Sequence, residues 1–106
     1  MQLTNTEEIP GKKITTCLGV VSGSTVRAKH AGRDIMAGFK NLVGGELKGY
    51  TELLSEARDQ AMERLQSQAA QLGANAIVNI RFSTSSVAAG ASEIYIYGTA
   101  VIVEDI

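Results

Sequence analysis

The chain has 106 residues, the size of one ordinary domain, and is read as a single unit over 1–106. It is 44% hydrophobic but only 5% aromatic with no Trp, so its core is built from aliphatic side chains and Ala, which let backbones approach closely but supply little buried area. Ten Lys and Arg stand against eleven Asp and Glu, so the concentrated positive charge of a nucleic-acid or anionic-membrane binder is missing.

A single cysteine, Cys17, forms no internal disulfide and suits a reducing compartment. The first eight residues have neither the basic start nor the apolar stretch of a signal peptide, and no apolar run is long enough to span a bilayer. A cytoplasmic location is the expectation. A domain this small with a core of small residues is marginal alone, which favours extra burial in an oligomer.

In chain order, a short first strand ends at a turn marked by Pro10-Gly11. Residues 13–27 alternate as a strand, with Ile14, Thr16, Leu18 and Val20 against Thr15, Cys17, Gly19 and Val21; Ser22-Gly23-Ser24 within it suggests a bulge or bend. Over 34–43, Ile35, Met36, Phe39, Leu42 and Val43 recur at helical spacing, and Gly44-Gly45 ends this short helix.

The clearest element is a helix over 51–72. Leu53, Leu54, Ala57, Ala61, Leu65, Ala69 and Leu72 fall within roughly 160° of one another at about 100° per residue. Glu52 lies near its N-terminus, where the helix dipole favours it, and Gly73 sits at the capping position. Three alanines on the buried stripe bring the helix close to a sheet.

After Gly73 the period becomes two: Ala76, Val78, Ile80 and Phe82 share one face, and Ile77, Asn79, Arg81 and Ser83 the other. Residues 83–92 read as a small-residue connection, and 93–104 as the last strand, forming an antiparallel hairpin with its predecessor. The last strand has two apolar faces, Ile94, Ile96, Gly98, Ala100 and Ile102 against Tyr95, Tyr97, Thr99, Val101 and Val103. One face packs under the helix; the other needs a second layer, which other copies of the chain supply most economically. The expected fold is α+β, a small and mostly antiparallel sheet packed by one long and one short helix.

Gly44-Gly45-Glu46, Tyr50, Glu56-Ala57-Arg58-Asp59-Gln60-Ala61, Leu72-Gly73-Ala74-Asn75-Ala76-Ile77-Val78 and Tyr97-Gly98-Thr99-Ala100-Val101 together resemble the YbjQ family of small bacterial proteins. In order and spacing the resemblance covers essentially the whole chain. It implies a compact α+β fold assembled as a ring, a homopentamer, and a heavy metal as the cofactor to test. One departure is Asn79, where similar sequences often have Gly; it is expected to put a polar side chain on the outer face of a strand.

Soft-metal sites gather Cys, His or Met at short spacings. Cys17, His30, Met36 and Met62 are isolated in sequence, so Cys17 and His30 are metal candidates on the family label alone, and the ordinary roles are a small strand residue and core filler. Ser22-Gly23-Ser24-Thr25 lacks the Gly-x-Ser-x-Gly pattern, and one His makes no triad. Gly44-Gly45 and Gly11-Lys12-Lys13 are no phosphate loops, and Arg27, Lys29, His30 and Arg33 read first as a solvated face, with anion binding as the alternative. Glu56 and Asp59 share a side of the long helix. A ligand pocket, if formed at a protomer junction, is expected where Asp34, Glu46 and Arg58 converge.

The sequence therefore points to a non-enzymatic, ring-forming protein that binds a small ligand or ion or presents a surface to a partner. The alternatives are a metal sensor or carrier using Cys17, and an enzyme whose sites are composite between subunits.

Overall fold

A computed structural model describes residues 1–27, 48–88 and 91–106. The short helix expected over 34–43, with its Gly44-Gly45 stop, lies outside them. The elements in chain order are β1 (Gln2–Leu3), β2 (Lys12–Arg27), α1 (Lys48–Gln71), β3 (Ala76–Ala88) and β4 (Ala91–Asp105). They build one four-stranded sheet in the order β1-β3-β4-β2. β4 runs antiparallel to both β2 and β3, while β1 pairs parallel with β3, so the sheet is mixed.

The Pro10-Gly11 turn forms as expected. The Lys12 N–H donates to the Ile9 carbonyl at 3.0 Å, and Gly11 takes φ 79°. Pro then Gly at the two central positions, with positive φ at the second, fits a type II turn. Directly after the turn, the Lys12 ammonium bonds the exposed Asp105 carboxylate and holds its pKa below the ordinary value.

β2 is irregular, but not where Ser22-Gly23-Ser24 suggests. Its register against β4 shifts between Ile14 and Thr16 and again between Cys17 and Gly19, and runs evenly from Gly19 to Arg27. Gly19 takes φ 110°, which a side chain would strain, so the second shift sits beside a glycine that accommodates it. Gly23 has a different task. A Cβ there would lie 2.2 Å from the Ala61 carbonyl oxygen and 2.6 Å from the Leu65 nitrogen. Gly23 therefore marks the place where β2 and α1 touch backbone to backbone.

On α1 the matching stripe is Ala57, Ala61, Leu65 and Ala69, each 0% exposed and four residues from the next. The spacing drifts slowly around the helix and keeps one face on the sheet. Thr25, the one buried polar side chain among the described residues, donates its hydroxyl to the Ala57 carbonyl at 3.1 Å. The helix starts at Lys48, which moves Glu52 past the first turn where the dipole acts. Its end follows the sequence: Gly73 takes φ 84°, its N–H bonds the Ala70 carbonyl, and the Ala74 N–H bonds that of Ala69, a Schellman cap. Leu72 falls outside the buried stripe and is 47% exposed, because the chain has left the helix by then.

β3 breaks its alternation at Asn79. The register against β4 shifts between Val78 and Arg81, and Asn79 takes φ 55°. One extra residue reverses the faces beyond it, so Ile77 and Ile80 both pack on the helix side, in the cluster that holds Leu65, Ile94, Ile96 and Ala100. The expected grouping of Ile80 with Ala76 and Val78 is thereby corrected. Asn79 is no outward residue of a regular strand but a left-handed bulge position, which Asn tolerates and Gly fits best. The expected connection over 83–92 is also shorter, since β3 continues to Ala88 and β4 begins at Ala91.

The opposite face carries a second cluster of Ile9, Ala76, Val78, Val101 and Val103. The chain thus covers part of that face itself, with Ile9 from the segment before the turn. The remainder, around Tyr95 and Tyr97, has no layer over it among the described residues.

Two stability measurements test this packing. Gly23→Ala forces a methyl into two backbone atoms and is expected to lose about 3 kcal/mol in urea unfolding, the upper end of overpacking costs. Asn79→Gly should hold or raise the thermal midpoint, while Asn79→Val should lower stability by about 1–3 kcal/mol, since a β-branched residue is strained at positive φ.

Candidate functional site

Cys17 is exposed on β2, opposite Val101 of β4, whose other neighbour is Ala76 of β3. Its surroundings across the sheet are apolar and offer no further ligand. Among the described residues, no three His, Cys, Asp or Glu side chains lie close enough to hold a metal ion. His30, the other metal candidate, lies outside them, as do Lys29 and Arg33.

Of the proposed ligand trio, only Arg58 is described; Asp34 and Glu46 are not. Arg58 is exposed on α1, next to the buried Ala57. Glu56 and Asp59 do share a side of the helix, as their spacing predicts, and with Gln60 and Glu63 they border a depression of about 340 Å³. Ser22 and Ser24 lie on a regular strand stretch rather than a nucleophile turn. The Ser22 N–H is held by Gln68 Oε1 at 2.6 Å, and the Ser24 carbonyl accepts from Arg64.

One concavity among the described residues is not disclosed by the sequence. Leu3, Thr4, Asn5, Met62, Ile80, Arg81 and Phe82 line an open groove of about 490 Å³. It lies beside the edge of β3, where the N-terminal segment, α1 and β3 meet. Arg81 is anchored there by bonds from its Nη1 to the Asn5 carbonyl at 2.8 Å and the Ile80 carbonyl at 3.0 Å. Leu3, Thr4 and Asn5 lie more than fifty positions from the other residues that form it, so no local motif announces it. Phe82, 51% exposed at the strand position facing Ile96, was the only available hint.

The face away from α1 is the second notable surface. Tyr95 and Tyr97 sit with ring centroids 5.6 Å apart, Tyr97 is 39% exposed and Val20 beside Thr99 is 74% exposed. These groups carry no acid–base constellation; their chemistry is contact.

The signature stretches have structural tasks. Gly73 caps the helix. Asn75 extends the sheet with its side chain: its Nδ2 donates to the Val103 carbonyl at 2.9 Å, and its Oδ1 accepts from the Val103 N–H at 2.8 Å. Gly98 admits Ile77, Val78 and Ile80, which a Cβ would meet at 2.8–3.2 Å.

The architecture defines a small mixed-sheet α+β protein. The chain belongs to the YbjQ family, UPF0145, whose model, described as "Putative heavy-metal-binding", matches residues 1–104. A UPF0145 protein of Hahella chejuensis is 64% identical over 104 residues, covering 98% of this chain and 100% of its own. One from Thermotoga maritima is 54% identical over 106 residues, covering all of both chains. A crystal structure from Pediococcus pentosaceus, a protein of unknown function in the DUF74 family, shares the fold with a TM-score of 0.65 at 17% identity, over 98% of each chain.

The apolar setting of Cys17 gives a direct expectation for metal uptake. In native mass spectrometry after incubation with Cu(I) or Zn(II), Cys17→Ala should carry the same metal stoichiometry as the wild type; a loss confined to the variant would put the thiol in a site. Asn75→Ala, by contrast, should lower stability by about 1–3 kcal/mol for two lost bonds, read by denaturant titration.

Proposed function

We propose that this protein acts as a non-enzymatic homo-oligomer, a ring in the cytoplasm whose subunit junctions bind a small ligand or ion or present a surface to a partner. The observation that carries this reading is the sheet face around Tyr95 and Tyr97, which has no layer over it among the described residues and leaves Tyr97 39% and Val20 74% exposed.

Exposed apolar groups lie where association would cover them. Val20 and Tyr97 on the uncovered face, and Phe82 at the groove, are the kind of surface soluble monomers keep covered. A closed ring covers such patches without leaving an open end. The family description supports a second reading, a metal sensor or carrier, and the Cys17→Ala comparison separates the two.

Size-exclusion chromatography with light scattering tests the oligomer. The wild type should elute well above its 11.2 kDa monomer mass at micromolar concentration, and Tyr97→Asp should shift it toward the monomer. A wild-type monomer would remove the reading.

A further inference from the structure

The Asn79 bulge decides which way the next residues of β3 point. Because it reverses the faces, Ile80 packs in the helix-side cluster, and Phe82 lies opposite the buried Ile96 on that same side. Leu3 and Met62 are packed on the cluster by one side only. With Ile80 and the half-exposed Phe82 they form the apolar wall of the open groove.

Arg81 sits between Ile80 and Phe82 and starts on the opposite face, beside Tyr97. Its guanidinium nevertheless reaches the rim of the groove, where Nη1 donates to the Asn5 and Ile80 carbonyls. Those two bonds hold the group in place and use one nitrogen. Among the described residues Nε and Nη2 take no acceptor, and no carboxylate pairs with Arg81. In a guanidinium these two nitrogens present parallel N–H groups, a fork that matches both oxygens of a carboxylate.

The groove thus joins an apolar wall to a held cation that still has two donors to give. Its volume of about 490 Å³ suits a small ligand. A single cation, with no helix N-terminus or glycine loop beside it, is a poor cradle for a phosphate chain. The same positive charge repels a metal ion. We propose that the groove binds an aliphatic monocarboxylate, with the carboxylate on Nε and Nη2 of Arg81 and the hydrocarbon chain along Leu3, Met62, Ile80 and Phe82. Such a ligand deepens the ligand-binding half of the function proposed above, on which it rests, and requires no particular assembly.

Octanoate, octanol and acetate separate charge from chain in isothermal titration calorimetry of the full chain. Octanoate should bind with submillimolar affinity, octanol about tenfold more weakly, and acetate undetectably. From hexanoate to decanoate, each added methylene should tighten binding by about two- to fourfold. Arg81→Gln should lower octanoate affinity to that of octanol and leave octanol unchanged. Because Arg81 also ties down the N-terminal segment, nuclear magnetic resonance on the wild type gives a readout that needs no variant. Octanoate should shift the Arg81 Nε–H and Met62 methyl resonances. Equal affinity for octanoate and octanol overturns the site. Shifts that spare Arg81 and Met62 also overturn it, while keeping ligand binding elsewhere on the protein. An oligomer in light scattering that binds no octanoate overturns this ligand and leaves the assembly standing. A monomer that binds octanoate at Arg81 keeps the site and removes the ring.

Discussion

The fold depends on one close approach, where α1 lies against β2 with no side chain between their backbones. Gly23 and the stripe of Ala57, Ala61 and Ala69 make it achievable, and Leu65 fills the space beside it. Dispersion and exclusion of water across this contact substitute for the aromatic bulk the chain lacks. The same approach lets α1 serve β2 in a second way. Thr25 reaches the Ala57 carbonyl, and Gln68 and Arg64 reach round to the β2 backbone, so the strand is tied down on its face and along its edge.

Among the described residues, α1 packs mainly against β2 and little lies over the far side of the sheet. β3 relies on the two residues of β1 and the few bonds of the N-terminal segment, and past Ile80 it continues as an arm with β4. The Asn79 bulge sits at this transition. It turns Ile80 inward toward the helix cluster.

The signature residues of the family acquire a different meaning in this light. Gly73, Asn75 and Gly98 cap a helix, lengthen a ladder and admit neighbouring side chains. Residues so placed serve the scaffold. The exposed Cys17 beside Val101 fits the same pattern, a small strand residue without ligand company across the sheet.

The sequence by itself determined the elements whose signals are local. The period of α1, the Gly73 cap, the Pro10-Gly11 turn and the two apolar faces of β4 were all legible, because each depends on residues within a turn or two of one another. Tertiary structure alone decided the rest. Gly23 looked like a bulge and proved a helix contact, since only a partner forty residues away gives it that task. Ile80 changed faces because a bulge adds one residue, and a period of two reverses at every such step. The groove of Leu3, Met62 and Phe82 arises from strand order, which no local pattern encodes. Of Asp34, Glu46 and Arg58, only Arg58 is among the described residues, exposed on α1; what a surface offers depends on what the fold leaves uncovered.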